Sequence, residues 1–368
     1  MSEKIRVFVD TPAWFIRPRN TDWQYMRQLK ALEQFLEIEV SYAWDIRDVL
    51  GESATYAHRR ILRQTPAGPA RFLRDGSFVD RRAAGAGVVL SHRRFPETRG
   101  NLPVIWQHCV LDPRMALASG RGTAEIEQDY RDHEPVFRRA AAVQVATPAE
   151  ARRHAARFPS LAEKFHAVPF FLPYIEPIDE NTLLAKHREV APLRLLFVGR
   201  EARRKGLDLL LEAVARLPIS LRMHYQLDVV SSLSGAAVDL LAGLNARVHR
   251  DMPRWEVLRL MRAAHIFAMP SRFESFGLTF IEAMAAGCAV IGPDWEVQSE
   301  ILDHGRAGLT LPPTVEAIAS ALAELVEHPT RRLELAAAGH QRFRTAYAPE
   351  VVAKAYFDMF AVAVRALG

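Results

Sequence analysis

Two glutamates eight positions apart, Glu274 and Glu282, head the residues of this chain whose type and spacing could do chemistry. They lie in Pro270-Ser271-Arg272-Phe273-Glu274-Ser275-Phe276-Gly277-Leu278-Thr279-Phe280-Ile281-Glu282-Ala283-Met284-Ala285-Ala286-Gly287, where a strand ends at Pro270 and a helix opens near Gly277. Glu274 falls in the loop and Glu282 about one and a half turns inside the helix. Helical throughout, the offset would be ~12 Å along the axis, which suits two parts of one long ligand better than a shared acid–base pair. Phe276, Leu278, Ile281 and Ala285 supply a packing face, and Glu282 has the apolar neighbours Phe280, Ile281, Ala283 and Met284. A carboxylate buried there needs a partner to offset its desolvation; the bland alternative is an exposed helix carboxylate.

The run Phe197-Val198-Gly199-Arg200-Glu201-Ala202-Arg203-Arg204-Lys205-Gly206 is a strand ending in glycine, a basic loop and a helix start. Backbone N–H groups at that start, with Arg200 and Lys205, would make an anion site. A solvated basic turn is the alternative, and mid-loop Arg203 and Arg204 read as tolerant of alanine. In the first half, His108 ends the strand-like run before Cys109-Val110-Leu111-Asp112-Pro113. A lone histidine there is more often structural than functional.

The elements that must position these residues alternate. Strand-like runs at Ile5–Val9, Leu36–Tyr42, Gly87–Ser91, Val104–His108 and Ala142–Thr147 are interleaved with helical stretches at Trp23–Phe35, Gly122–Arg139 and Pro148–Phe158. Prolines 169, 173, 177 and 192 interrupt the pattern, and Pro169–Pro192 reads as an interdomain linker. Alternation resumes with strands Leu193–Gly199, Tyr225–Val230, His265–Met269, Cys288–Gly292 and Gly308–Leu311 and helices Gly206–Leu217, Pro253–Ala263 and Phe276–Ala286; helices Thr314–Glu327, Thr330–Tyr347 and Pro349–Leu367 close the chain. This is an α/β pattern of two Rossmann-like halves. Parallel sheets bind ligands at the carboxyl ends of their strands, so two facing halves imply a cleft.

Composition narrows the function classes. At 368 residues, with 49% apolar and 25% charged residues, the chain can bury two domain cores. A net charge of +5 is too mild for an extended nucleic-acid footprint. The longest run without Asp, Glu, Lys or Arg is Gly100–Leu111, 12 residues, short of the roughly 17–25 apolar residues of a membrane span. The start MSEKIRVFVD lacks the features of a signal peptide, and Cys109 and Cys288 read as buried apolar residues of a reducing, cytoplasmic protein.

Gly199-Arg200…Lys205-Gly206, then Pro270-Ser271…Glu274-Ser275-Phe276-Gly277…Glu282-Ala283-Met284-Ala285…Gly287, with Ala307-Gly308-Leu309 beyond, resembles the retaining GT-B glycosyltransferases of family 4, the glycosyl transferases group 1 type. The match covers about Leu193–Pro313. The resemblance implies an acceptor domain at 1–175, a linker at 176–192, a nucleotide-sugar donor domain at 193–347 and a C-terminal helix, 348–368, packing back on the first domain. It implies that Glu274 contacts donor-sugar hydroxyls near the backbone of Ser275, Phe276, Gly277 and Leu278, and that Glu282 binds the ribose. Arg200 and Lys205 would hold the diphosphate, and His249 and Arg250 would fall in the base-recognition loop. His108 would face the transferred sugar.

The implied co-substrate is a nucleotide-diphosphate sugar, with no metal or other cofactor: no Asp-x-Asp occurs in the chain. The implied acceptor is a glycan, a lipid or a small molecule, and a front-face route fits because no first-half carboxylate stands out as a nucleophile. Arg59, Arg60, Arg63, Arg71, Arg74, Arg81 and Arg82 would allow peripheral contact with an anionic inner-membrane surface, a solvated loop being the alternative. Three places depart from the family pattern: the glycine-free Asp10-Thr11-Pro12-Ala13-Trp14-Phe15, Val229-Val230-Ser231-Ser232 and Phe170-Phe171-Leu172-Pro173. A non-catalytic nucleotide-sugar-binding subunit of a partner transferase is the rival of another class. The glutamate-containing run argues against a phosphorylase or epimerase, and no Gly-x-Gly-x-x-Gly follows a strand as an oxidoreductase would need.

Overall fold

Short runs of β-branched and aliphatic residues form central strands buried on both faces, the sequence form of a parallel sheet covered by helices. A computed structural model describes residues 4–10, 28–42, 87–91, 103–107, 112–188, 192–232, 241 and 243–366. The chain divides into two compact units: Met1–Cys109 with Glu127–Pro173 and Pro349–Gly368, and Val110–Ile126 with Tyr174–Ala348.

In the first unit, β1 (Ile5–Asp10), β2 (Ile38–Tyr42), β3 (Val88–Ser91), β4 (Val104–Gln107), β5 (Ala142–Val145) and β6 (Phe165–Ala167) form a parallel sheet in the order β2-β1-β3-β4-β5-β6. Val7 of β1 lies opposite Val40 of β2 on one side and Val88 of β3 on the other. The helix Pro349–Arg365 belongs to this unit: Val352, Tyr356, Met359, Phe360 and Ala363 recur at helical spacing and join Val7, Val88 and Ile105 in one apolar core. A buried polar link joins the helix to the sheet, since Gln144 donates to the Tyr356 hydroxyl at 2.8 Å and to the Val168 carbonyl at 2.9 Å. Where helical periodicity was expected over Trp23–Phe35, the described part is a six-residue 3-10 helix, Leu29–Gln34. Its buried Leu29 and Leu32 lie three apart, the repeat at which side chains align on a 3-10 turn.

In the second unit, β7 (Leu193–Val198), β8 (Tyr225–Val230), β9 (Ala246–His249), β10 (Ile266–Ala268), β11 (Ala289–Pro293) and β12 (Leu309–Leu311) are parallel in the order β12-β11-β10-β7-β8-β9. The order reverses between β7 and β10, which makes their carboxyl ends a topological switch point. Leu195 of β7 lies opposite Leu227 of β8 and Ile266 of β10. The segment after Val248 is not all loop, because residues 246–249 add the edge strand β9.

Two boundaries differ from the sequence reading. The linker expected at 176–192 contains a helix, Glu180–Arg188, with Leu183, Lys186 and His187 buried. Its prolines bracket the helix, and Asp179 accepts from the Thr182 backbone N–H at 2.9 Å, which caps its start. Residues 110–126, expected within the first domain, cluster with the second unit. Asp112 explains this: it caps the helix Pro113–Ala118 and also accepts from the Glu296 backbone N–H at 2.9 Å. Among the described residues no helix is long and apolar enough to cross a membrane.

Candidate functional site

The loops that follow β7 and β10 meet at the switch point, and glycine makes that possible. Gly206 has φ +75°, and a Cβ there would stand 2.1 Å from the Pro270 carbonyl oxygen. Only a residue without a Cβ lets the two backbones lie this close. Side chains then lace the loops. Arg272 forms a bidentate pair with Asp208 at 2.7 and 2.8 Å and donates to the Arg203 carbonyl at 2.7 Å. Arg204 donates to the Phe273 carbonyl at 2.9 Å and to Glu201 at 2.8 Å. Arg204 thus ties the two loops together, a contact that its mid-loop position did not suggest.

Lys205 and Glu274 form an ion pair across the two loops, with Glu274 only 5% exposed. The Lys205 stem crosses Gly199 so closely that a Cβ there would stand 2.8 Å from its Cγ. The Glu274 backbone N–H points at Met115 Sδ, 3.2 Å away, so the helix Pro113–Ala118 borders the pair. Past Glu274, Gly277 takes φ +91° and starts the helix Leu278–Ala285. Phe276 is buried, Ser275 exposed and Leu278 half-buried. Two side chains hold this loop from behind: Trp295 donates to the Ser271 carbonyl at 2.9 Å and Gln298 to the Phe276 carbonyl at 2.8 Å. Arg200, directly after Gly199, is exposed.

Glu282 is buried, and the partner that its surroundings demand comes from two distant segments. Tyr174 donates its hydroxyl to Glu282 Oε1 at 2.7 Å, and the Arg254 guanidinium pairs with the same oxygen and with the Tyr174 hydroxyl. The guanidinium also lies 3.9 Å from the Tyr174 ring centroid. Burial and the Glu282 charge push the phenol's ionisation upward, so it stays a hydrogen-bond donor. At the end of β9, His249 bonds Asp228 Oδ1 at 2.7 Å, and Arg194 reaches Asp228 Oδ2 at 3.3 Å; Arg250 is exposed. One His249 ring nitrogen is thus committed to a buried carboxylate. His108 lies outside the described residues, as do Thr11–Trp14 and the arginines between positions 59 and 82.

The structure therefore brings Lys205 and Glu274 together and places Glu282 in a separate cluster. Sequence reasoning missed Tyr174, Arg254, Asp228 and Met115. The one signal for the first two was the chemical need of a glutamate among apolar neighbours. It carries no information about partners 108 and 28 positions away.

The family described as glycosyl transferases group 1 matches residues 180–342. Curated relatives include a glycogen synthase from Mycobacterium tuberculosis, 28% identical over 191 residues, covering 49% of this chain and 45% of that protein. A D-inositol 3-phosphate glycosyltransferase from Jonesia denitrificans is 30% identical over 235 residues, covering 58% and 55%. The chain spans about half the length of the curated relatives it matches. Among solved structures, WaaG, a glycosyltransferase involved in lipopolysaccharide biosynthesis, superposes with TM-score 0.61 at 16% identity, covering 97% of this chain and 99% of the other. HepE from Anabaena, in complex with UDP, superposes with TM-score 0.70 at 15% identity, covering 97% and 99%. At these identities the likeness to the solved structures speaks for the fold alone.

Proposed function

From the match of residues 180–342 to the glycosyl transferases group 1 family, carried on a GT-B fold, we propose that the protein is a retaining hexosyltransferase that moves a sugar from a nucleotide-diphosphate sugar to an acceptor hydroxyl. The observation that carries this reading is the Lys205–Glu274 pair at the switch point, a cation and a carboxylate side by side where an α/β sheet takes its ligand. Lys205 and Arg200 bind the diphosphate, and Glu274 takes hydroxyls of the donor sugar beside the backbone of Ser275, Phe276, Gly277 and Leu278. Glu282 takes the ribose, and His249 and Arg250 border the base; the role at the transferred sugar is assigned to His108, which lies outside the described residues.

In the reaction, the bond from the anomeric carbon to the diphosphate breaks while the acceptor oxygen bonds that carbon on the same face. The acceptor proton passes to the leaving phosphate oxygen. Negative charge grows on the diphosphate, and fixed cations aimed there stabilise the transition state more than the ground state. Lys205 and Arg200 fill that role in place of a divalent ion. The acceptor is a glycan, a lipid or a small molecule, and the protein works in the cytoplasm, with the arginines at 59–82 touching anionic inner-membrane lipid. Flotation with liposomes checks the last point: equal recovery with neutral and anionic vesicles would remove it.

The test of the donor site is a split between two variants. Calorimetry with UDP, GDP and ADP should find that Glu282→Ala weakens nucleotide binding by at least about tenfold, the worth of a hydrogen bond to a charged group. Glu274→Ala should keep nucleotide affinity and lose turnover in a donor-hydrolysis assay. Equal nucleotide affinity in wild type and Glu282→Ala would end the ribose assignment, and a wild type that neither transfers nor hydrolyses any nucleotide sugar would end the enzyme reading.

A further inference from the structure

Arg254 stands at the first turn of the helix Arg254–Ala263, where the helix dipole disfavours a cation. Something must hold it there, and the structure shows what does: the buried carboxylate of Glu282. Tyr174 adds the hydroxyl bond and a ring under the guanidinium. Both donors converge on Oε1. Oε2 accepts no hydrogen bond from the described residues, and it is not among the sealed, unpartnered polar atoms of the buried set.

We propose that Arg254 and Tyr174 are positioning residues that saturate Oε1 of Glu282 and so present Oε2 as the single acceptor for the ribose hydroxyls, setting the preference for a ribonucleotide over a deoxyribonucleotide. The proposal rests on the assignment of Glu282 to the ribose. A carboxylate free to rotate spreads its acceptors over many directions. One whose first oxygen is fixed by two donors offers the second in one direction, and the ordering cost is met before the ligand arrives. A site built around one hydroxyl discriminates strongly against a ligand lacking it, because the acceptor is then left unpaired. Neither residue need touch the nucleotide.

The experiment compares UDP, GDP and ADP on the wild type, then measures the tightest of them against its 2′-deoxy and 3′-deoxy analogues on wild type, Glu282→Gln, Tyr174→Phe and Arg254→Ala. Wild type should prefer the ribose form over at least one deoxy form by about tenfold or more, the worth of a hydrogen bond to a charged group. Tyr174→Phe and Arg254→Ala should each cut that ratio to about threefold or less, chiefly by weakening the ribose form, while the deoxy form changes little. The same variants should raise the donor KM and leave kcat nearly unchanged, the signature of binding shared by ground and transition states. Tyr174→Phe keeps the ring and the fold, so it decides the matter if Arg254→Ala fails to fold. If both variants keep the wild-type ratio while Glu282→Gln loses it, the positioning role is wrong and the ribose assignment stands. If wild type shows no preference, or Glu282→Gln keeps it, the ribose assignment falls and takes the positioning role with it.

Discussion

Lys205 and Glu274 each limit what the other can do. A carboxylate as buried as Glu274 is tolerated because the ammonium lies against it. Lys205→Ala therefore has two consequences. It removes a cation from the developing diphosphate charge, which should lower transfer about a hundred- to thousandfold. It also leaves a buried charge uncompensated, which should destabilise the free protein by about 3 kcal/mol in urea unfolding. Adding Glu274→Gln to Lys205→Ala should return most of the stability and none of the turnover. A Lys205→Ala protein of wild-type stability would show that the pair is not held in solution. Activity that needs manganese and dies in EDTA would show that the diphosphate charge is met by a metal.

The loops after β7 and β10 depend on backbone conformation as much as on side chains. Gly206 and Gly243 share a left-handed backbone, φ +75° and φ +78°, but their surroundings differ. A Cβ at Gly206 would run into the Pro270 carbonyl, whereas none of the described residues lies within 4 Å of one at Gly243. Gly243→Ala should cost about 1–3 kcal/mol, the strain of a left-handed alanine. Gly206→Ala should cost that much plus the displacement of Pro270, and should also lower turnover by moving Lys205 off Glu274. Urea midpoints and donor turnover, measured on both variants, check this. Equal costs at the two glycines would mean that the loops are not in contact.

At the scale of the whole molecule, the second unit carries a buried basic group of Lys186, His187 and His265 that the proposed reaction does not use. His187 donates its ring Nε2–H to the Gly287 carbonyl, 2.9 Å away, His265 accepts from the Arg194 backbone N–H at 2.9 Å, and Lys186 donates to the Ala286 carbonyl at 2.8 Å. Burial, with Lys186 and Arg332 nearby, depresses both histidines to about 4. In the unfolded chain they titrate near 6.5, so between pH 6.5 and 4 the unfolded state binds more protons. Stability is then full above pH 6.5 and falls as the pH drops toward 4. His154 in the first unit, depressed to about 3 chiefly by burial, extends the loss further down. Denaturation midpoints measured from pH 7.5 to 4.5 should fall steadily, and His187→Gln should flatten part of that slope. A pH-independent midpoint over this range would mean that these rings are charged, or solvated, in the folded protein.

The alternation of strands and helices, the switch from β7 to a basic loop and the spacing of Glu274 from Glu282 were all legible in the amino-acid order. Each depends on residues close in sequence: apolar runs that fit a doubly covered strand, a glycine where the backbone turns, a carboxylate whose neighbours are Phe280, Ile281 and Met284. Burial of Glu282 could likewise be read as a need for a partner. Which partner met that need could not be read, because Tyr174 and Arg254 reach Glu282 from 108 and 28 positions away. Tertiary structure also decided the fate of the proline-rich stretch. Its prolines mark where a helix cannot continue, but they do not say that Asp179 will cap one between them or that Leu183 and Lys186 will be buried. Residues 110–126 went to the second unit for the same kind of reason. The local pattern makes Asp112 a helix cap for Arg114 and Met115, and only the fold supplies the third N–H, from Glu296, that ties the segment across 184 positions.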